Sequence, residues 1–444
     1  MTEQAPRTLS QKILEAKAGK TIEPGESVDV TPDVVLSTGD TADICRKLAS
    51  LGIDNVYDPD LHVVVVDRCA SAAFAIDTAD HQRISSFVED QGIEHFFDLY
   101  EGFCHQVLVE QGFVTPGRLI VGSDPRIVAC GALGTLAVGI DHEAMATVMA
   151  TGKIGLRAPE TCRIEVVGRL PHHVTPMDLI LKIIGDLGAE GVLHHAVEFG
   201  GPTLRHMTLS GRMTMCHMAA MMGTNNSYVV PDQNTLAYLN GRARGNFSLI
   251  YSDPEAEYSE VRTYDVSELE PYISQSERVD SAVLVSEVDG TKVRQIILGG
   301  CTNGQLADLQ AAASVLENRK VASSTHLLVV PASHEVLRDA VSDGTLSILL
   351  DAGAFLLNPH CGLCLNQQVS ALPPGEVVLS TAHSGPSGQG SCPQAGVYLG
   401  STLTCAAAAV AGEICDVRTV VAVADPISTE AGWSTVGRRV RKHS

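Results

Sequence analysis

The sequence predicts an α/β fold in which parallel sheets are layered with helices, and three observations carry that prediction. Apolar runs of strand length recur along the chain, at residues 63–66, 119–121, 296–298, 327–330, 377–379 and 420–423. Between several of them, residues 41–51, 178–187 and 306–316 repeat apolar side chains at spacings of three and four, the period of a helix with one buried face. Aromatic residues make up 4% of the chain while Ala, Gly and Val are plentiful, which suits close helix–sheet packing better than a β-sandwich. Strands that alternate with helices pair in parallel and carry helices on their faces.

Each element then limits the organisation. A chain of 444 residues exceeds one ordinary core and implies two to three domains. The polar stretch 252–278, with little apolar periodicity, reads as a linker. We therefore expect a first α/β domain over 1–157, a second over 158–279 that includes this linker, and a third over 280–444. The formal charge of −21 repels phosphate backbones and anionic lipid, so neither nucleic acid nor a membrane surface is expected as a partner. The first residues lack the apolar core of a secretory signal, and no run approaches the roughly 18 apolar residues of a membrane span. A cytoplasmic protein is expected. In that reducing setting the twelve cysteines are not a disulfide framework.

Three cysteines stand apart by their context. Cys301 lies in Gly-Gly-Cys-Thr-Asn-Gly directly after the strand-like run 296–298, and Cys361 and Cys364 form Asn-Pro-His-Cys-Gly-Leu-Cys after the apolar stretch 354–357. Three thiolates from two strand-end loops can hold three corners of an iron–sulfur cube, and glycines let the backbone approach the inorganic sulfides. The remaining iron keeps an open position and acts as a Lewis acid. Other uses of Cys-x-x-Cys stay open at this point. A zinc site wants a second pair at matching spacing, and a thioredoxin-like pair wants to open a helix early in a βαβ unit. The plain alternative is three buried thiols.

From about Ser10 to Arg418 the chain also resembles the large subunits of isopropylmalate dehydratase and homoaconitase, within the aconitase superfamily. The landmarks are Gly102-Phe-Cys-His-Gln106, Glu110-Gln-Gly112, Pro116-Gly117, Gly131-Ala-Leu-Gly134, Ala196-Val-Glu-Phe-Gly200, Gly211-Arg-Met-Thr214, Pro231-Asp232, Cys301-Thr-Asn-Gly304, Asn358-Pro359, Cys361-Gly-Leu-Cys364 and Ser380-Thr381, in the family's order and spacing. The resemblance implies three α/β domains around a central [4Fe–4S] cluster held by Cys301, Cys361 and Cys364. It also implies a fourth, swivelling domain over the cluster. The stretch after Arg418 is too short for one, so a separate small subunit is expected to complete the site in a heterodimer or heterotetramer.

Departures from the family pattern fall in the implied active site. Asp67-Arg68 stands where the family has Asp-His. Ser123-Asp-Pro-Arg-Ile127 replaces Gly-Asp-Ser-His-Thr, so Asp124 is kept and Arg126 takes the His position. Residues 382–389 lose both arginines of the family segment, to Ser384 and Gln389. Neither Ser nor Gln replaces a bidentate guanidinium, and each lost contact to a carboxylate removes about 1.5–3 kcal/mol. Citrate-like and isopropylmalate-like substrates are thereby disfavoured.

The resemblance leaves His105, Asp124, Glu198 and Asp67 as candidate catalytic residues. It leaves Arg68, Arg126, Arg212, Asn303 and Ser384 as candidate contacts to a small hydroxy carboxylic acid. His105 reads either as an acid/base group oriented by Asp124 or as a core histidine bonded to a backbone carbonyl. Glu198 is expected to pair with Arg126. His360 and His383 are further guesses near the cluster. Two functions compete: a cluster-dependent hydro-lyase, either a dehydratase or an isomerase, and a cluster-binding paralogue without dehydratase activity. A zinc protein using the same cysteines is the third and weaker reading.

Overall fold

The computed structural model describes residues 5–67, 78–275, 278–361, 375–382 and 396–421. Its strands form three larger sheets and one short antiparallel pair, Ser27–Val30 with Ile154–Arg157. The first sheet runs His95–Phe97, His62–Val65, Val34–Ser37, Leu119–Gly122, Leu136–Gly139, with every pair parallel. The second runs Asn226–Val229, Ala196–Gly200, Thr161–Val167, Glu260–Asp265, again parallel throughout. The third runs Arg278–Leu284, Tyr272–Gln275, Gly396–Gly400, Val377–Ser380, Gln295–Gly299, His326–Val330, Phe355–Leu356. Its first two pairings are antiparallel and the rest parallel. Central strands such as Gln295–Gly299 are buried along their whole length, the pattern of a parallel sheet covered on both faces.

One expectation is corrected. The stretch 252–278 is not a linker. Strand Glu260–Asp265 completes the second sheet, and strand Tyr272–Gln275 joins the third ahead of residue 280. Glu260–Asp265 is largely exposed along an edge, so it lacks the apolar alternation that would have marked it. Of the run 420–423, residues 420 and 421 follow the short 3-10 turn Val417–Thr419, and 422–423 lie outside the described residues.

What positions the site is the direction of the strands. Asp67 follows strand His62–Val65, Asp124 follows Leu119–Gly122, Cys301 follows Gln295–Gly299 and Cys361 follows Phe355–Leu356. All four leave carboxyl ends of parallel strands, where open α/β sheets place their ligands. Two close approaches shape this junction, the first between the first-sheet side and the third sheet and the second within the third sheet itself. Gly102, at φ +146, packs where a Cβ would lie 2.8 Å from the Ala332 carbonyl oxygen, and Phe103 N–H donates to that oxygen at 3.0 Å. Gly299, at φ +106, turns the chain into Cys301 where a Cβ would lie 2.1 Å from the Val330 carbonyl oxygen. Only glycine enters both positions without strain.

Candidate active site

The short helix Cys104–Glu110 begins at Phe103, which has no side chain able to cap it. The cap comes from elsewhere: the Asp67 carboxylate accepts the Cys104 N–H at 3.3 Å. The Asp67 carbonyl in turn accepts the Cys361 N–H at 2.6 Å. Asp67, Cys104 and Asp124 are all buried, with potential ligand atoms within 4.8 Å of one another. Burial, then the neighbouring Asp124, push the Asp67 carboxyl above the usual carboxylate range. The Cys104 thiol is held well up by burial and by the same two carboxylates.

Arg126 balances that charge. Asp124 caps the 3-10 helix Pro125–Leu133 by accepting the Arg126 N–H at 2.8 Å. The same carboxylate grips the Arg126 side chain, taking Nε–H at 2.8 Å and Nη2–H on its other oxygen. The remaining arm, Nη1, donates to Cys361 Sγ at 3.0 Å. Burial alone would raise the Asp124 carboxyl, but the charge and hydrogen bonds of Arg126 outweigh it and hold the group below its ordinary range. Burial pushes the Cys361 thiol up to about 11 against the pull of Arg126.

On the other side, His105 Nε2 lies 2.9 Å from the Cys301 carbonyl oxygen. A carbonyl only accepts, so this nitrogen carries the hydrogen. The ring packs edge-on against His217, with centroids 5.5 Å apart. Burial, and then His217, lower the His105 pKa to about 4, so the ring is neutral and its Nδ1 is a bare acceptor. Among the described residues, no hydrogen-bond partner meets His105 Nδ1, His217 Nδ1 or the Asn303 carbonyl oxygen, all buried. Asn303 is fixed through its amide nitrogen, to Thr214 Oγ1 at 3.0 Å and Asp308 at 3.2 Å. Thr214 also donates to the Thr302 carbonyl, which seats helix Leu209–Ala219 against the Cys301 turn.

The expected residues are therefore only partly gathered. Asp67, Asp124, Arg126, His105, Cys301 and Cys361 converge, and Asn303 adjoins them. The Arg126–Glu198 pair does not form. Glu198 is bound instead by Arg163 at 2.6 Å, by the hydroxyls of Tyr228 and Tyr258 at 3.1 Å, and by Ser252. Arg126 prefers the carboxylate two residues away, which needs no long-range approach. Asp124 is likewise turned to Arg126 and does not orient His105. Arg212 is 1% exposed, its terminal nitrogens held by Asp232 and the Leu204 carbonyl, so it offers no free fork to a substrate. His360 Nδ1 meets the Asn358 carbonyl at 2.7 Å. Arg68, Cys364, His383 and Ser384 lie outside the described residues. Cys104 and His217 were missed. Cys104 sat inside a quoted landmark beside His105, and the spacing of three from Thr214 to His217 puts both on one helix face.

Comparison with known proteins now decides the family. The model of the aconitase family (aconitate hydratase) matches residues 49–290 and 285–412. The chain belongs to the aconitase family. It is 43% identical over 409 residues to the probable 3-isopropylmalate dehydratase large subunit of Methanothermobacter thermautotrophicus, covering 92% of this chain and 98% of that one. It is 38% identical over 413 residues to the probable methanogen homoaconitase large subunit of the same organism, covering 91% and 96%. Among solved structures, Thermococcus kodakaraensis aconitase X in its holo form aligns with a TM-score of 0.48 and 12% identity, over 85% of this chain and 89% of that one. As an aconitase-family chain of the large-subunit type, this protein is a hydro-lyase. Among the described residues, no helix is long and apolar enough to cross a membrane.

Proposed function

We propose that this chain is the large subunit of a [4Fe–4S]-dependent hydro-lyase, acting on a small hydroxy carboxylic acid other than citrate or isopropylmalate. The observation that carries the reading is the Arg126–Cys361 contact. A cation fixed 3.0 Å from a buried thiol, with the Cys301 thiol close enough to act on the same guanidinium, suits a set of thiolates. The donor set fits the group: Cys301 and Cys361, with Cys364 of the same Cys-x-x-Cys, would hold it. When bound, the cluster supplies a Lewis-acidic iron with an open position.

The chain's own residues do the rest. Asp67 ties the Cys361 loop to the first sheet, and Asp124 clamps Arg126 against the thiol. His105, neutral and donating to the Cys301 carbonyl, presents Nδ1 as a proton acceptor. Asn303 presents its carbonyl oxygen as an acceptor for a substrate hydroxyl. Arg126 and Arg212 are committed within the protein. This favours a substrate with fewer carboxylates than citrate, held in part by Arg68 and by a small swivelling subunit. The relatives are named as large subunits, which supports such a partner.

The test is anaerobic co-purification with a small subunit, followed by a screen of hydroxy acids for alkene formation by absorbance. Turnover of a monocarboxylic or compact dicarboxylic hydroxy acid supports the proposal. An intact cluster with no turnover across the screen would favour the paralogue without dehydratase activity. A colourless protein after iron–sulfide reconstitution would sink both.

A further inference from the structure

We propose that Arg126 is a positioning residue for the cluster: a fixed N–H···S donor to the ligand Cys361 that stabilises the thiolate set and raises the cluster's reduction potential. The inference rests on the cluster reading of this site and goes beyond it, because it assigns an electrostatic role to a position where the resemblance led us to expect a substrate contact.

The geometry leaves the guanidinium little choice. Asp124 is anchored as a helix cap by the Arg126 N–H at 2.8 Å, and both its oxygens face the Arg126 fork. A bidentate grip on Nε and Nη2 fixes the plane of the guanidinium, so the direction of Nη1 is set by the clamp. That direction ends on Cys361 Sγ at 3.0 Å. The Cys361 backbone is itself held by the Asp67 carbonyl, so donor and acceptor are both immobilised.

The chemistry follows from two properties of arginine. It stays charged throughout the working pH range, so it neither gives nor takes a proton here. A permanent positive charge and an N–H···S bond both favour the more negative, reduced form of a cluster, and such bonds are among the features that set cluster potentials. Asp67 and Asp124 pull the other way. The Arg126 Nη1, at 3.0 Å, is the charged donor that the structure places directly on the Cys361 sulfur, so its charge and its N–H act there at the shortest range.

The experiment is an anaerobic redox titration of the reconstituted wild type, Arg126→Gln and Arg126→Lys, read by electron paramagnetic resonance, with thermal melts of the three apo-proteins. At a fixed poise, Arg126→Gln should lower the reduced-to-oxidised ratio about tenfold, equivalent to about 59 mV for a one-electron couple. Arg126→Lys, which keeps the charge and loses the fork, should fall between. Loss of the cluster from a variant whose apo melt is unchanged would also support the role. If Arg126→Gln fails to fold, Arg126→Lys decides. Variants that keep the cluster at the wild-type potential would overturn the inference while leaving the cluster reading intact. A wild type that takes up no cluster would overturn the proposed function itself.

Discussion

The N–H of Cys361 donates to the carbonyl oxygen of Asp67 at 2.6 Å, which fastens a loop of the third sheet to a strand end of the first. The same Asp67 caps helix Cys104–Glu110 through its side chain. Asp67→Ala keeps the backbone link and removes the cap, leaving the Cys104 N–H buried without a partner. Such an orphan costs about 1–3 kcal/mol. The denaturation midpoint of the apo-protein should fall accordingly with its slope unchanged, and Asp67→Asn, whose amide oxygen still accepts, should retain most of the stability. An unshifted midpoint in the alanine variant would show that the cap contributes nothing.

Three described thiols lie around this junction, and the proposal treats them differently. Cys301→Ser and Cys361→Ser should abolish the broad visible band after anaerobic reconstitution. Cys104→Ser should keep it, because Cys104 is engaged with Asp67 and belongs to the helix start. Cys364→Ser should behave like the first two. Absorbance and iron content of the four variants decide the point. A cluster lost only with Cys104 would reassign the ligand set.

Most of the architecture was legible because buried parallel strands write continuous apolar runs. Residues 296–298 and 327–330 fall inside observed strands Gln295–Gly299 and His326–Val330, and 306–316 matches its helix end to end. Edge strand Glu260–Asp265 was illegible for the opposite reason: it is largely exposed and writes no apolar run. The site was readable as a set of residue types but not as a set of pairings. Local competition settles those. Asp124, two residues from Arg126, captured the guanidinium that the resemblance had assigned to Glu198. Arg163, on the strand adjacent to Glu198, took the vacant partner's place. Cys104 and His217 were hidden because a buried thiol and a helix histidine look like core until their neighbours are known.

Glu198 is consequently expected to govern stability more than chemistry. It is fully buried, and Arg163 is its cationic partner. Removing one member of a buried pair costs about 3–5 kcal/mol, and partial exposure of Arg163 reduces the expected loss for Arg163→Met to about 2 kcal/mol. Adding Glu198→Gln to that variant removes the stranded charge and should recover part of the loss. Chemical denaturation of the single and double variants measures this. The cluster band should be unaffected in both. A double variant less stable than Arg163→Met would mean that the tyrosine and serine hydroxyls satisfy the carboxylate without the arginine.

Glu110 supplies a pH-dependent prediction away from the ligand thiols. It closes helix Cys104–Glu110 and accepts from Gln106 at 2.7 Å and from Ser333 at 2.6 Å, so it joins the first-sheet helix to the turn after strand His326–Val330. Burial pushes its carboxyl up to about 7, against the two hydrogen bonds and with Glu335 and Arg242 as the charged neighbours. A folded-state value raised above the unfolded one means that the native protein binds the extra proton. Stability from this group is then complete below about pH 4.5, falls as pH rises, and is lost once pH passes about 7. Over that window the loss is about 3 kcal/mol, at 1.36 kcal/mol per pH unit. Gln in this position accepts the same two hydrogen bonds and does not titrate. The stability of wild type relative to Glu110→Gln should therefore decline between pH 5 and pH 7 and level off above it, as read by denaturant titrations at each pH. Parallel curves for the two proteins across that range would mean that the carboxyl titrates at its ordinary value and that its burial is relieved by solvent at the junction of the two sheets.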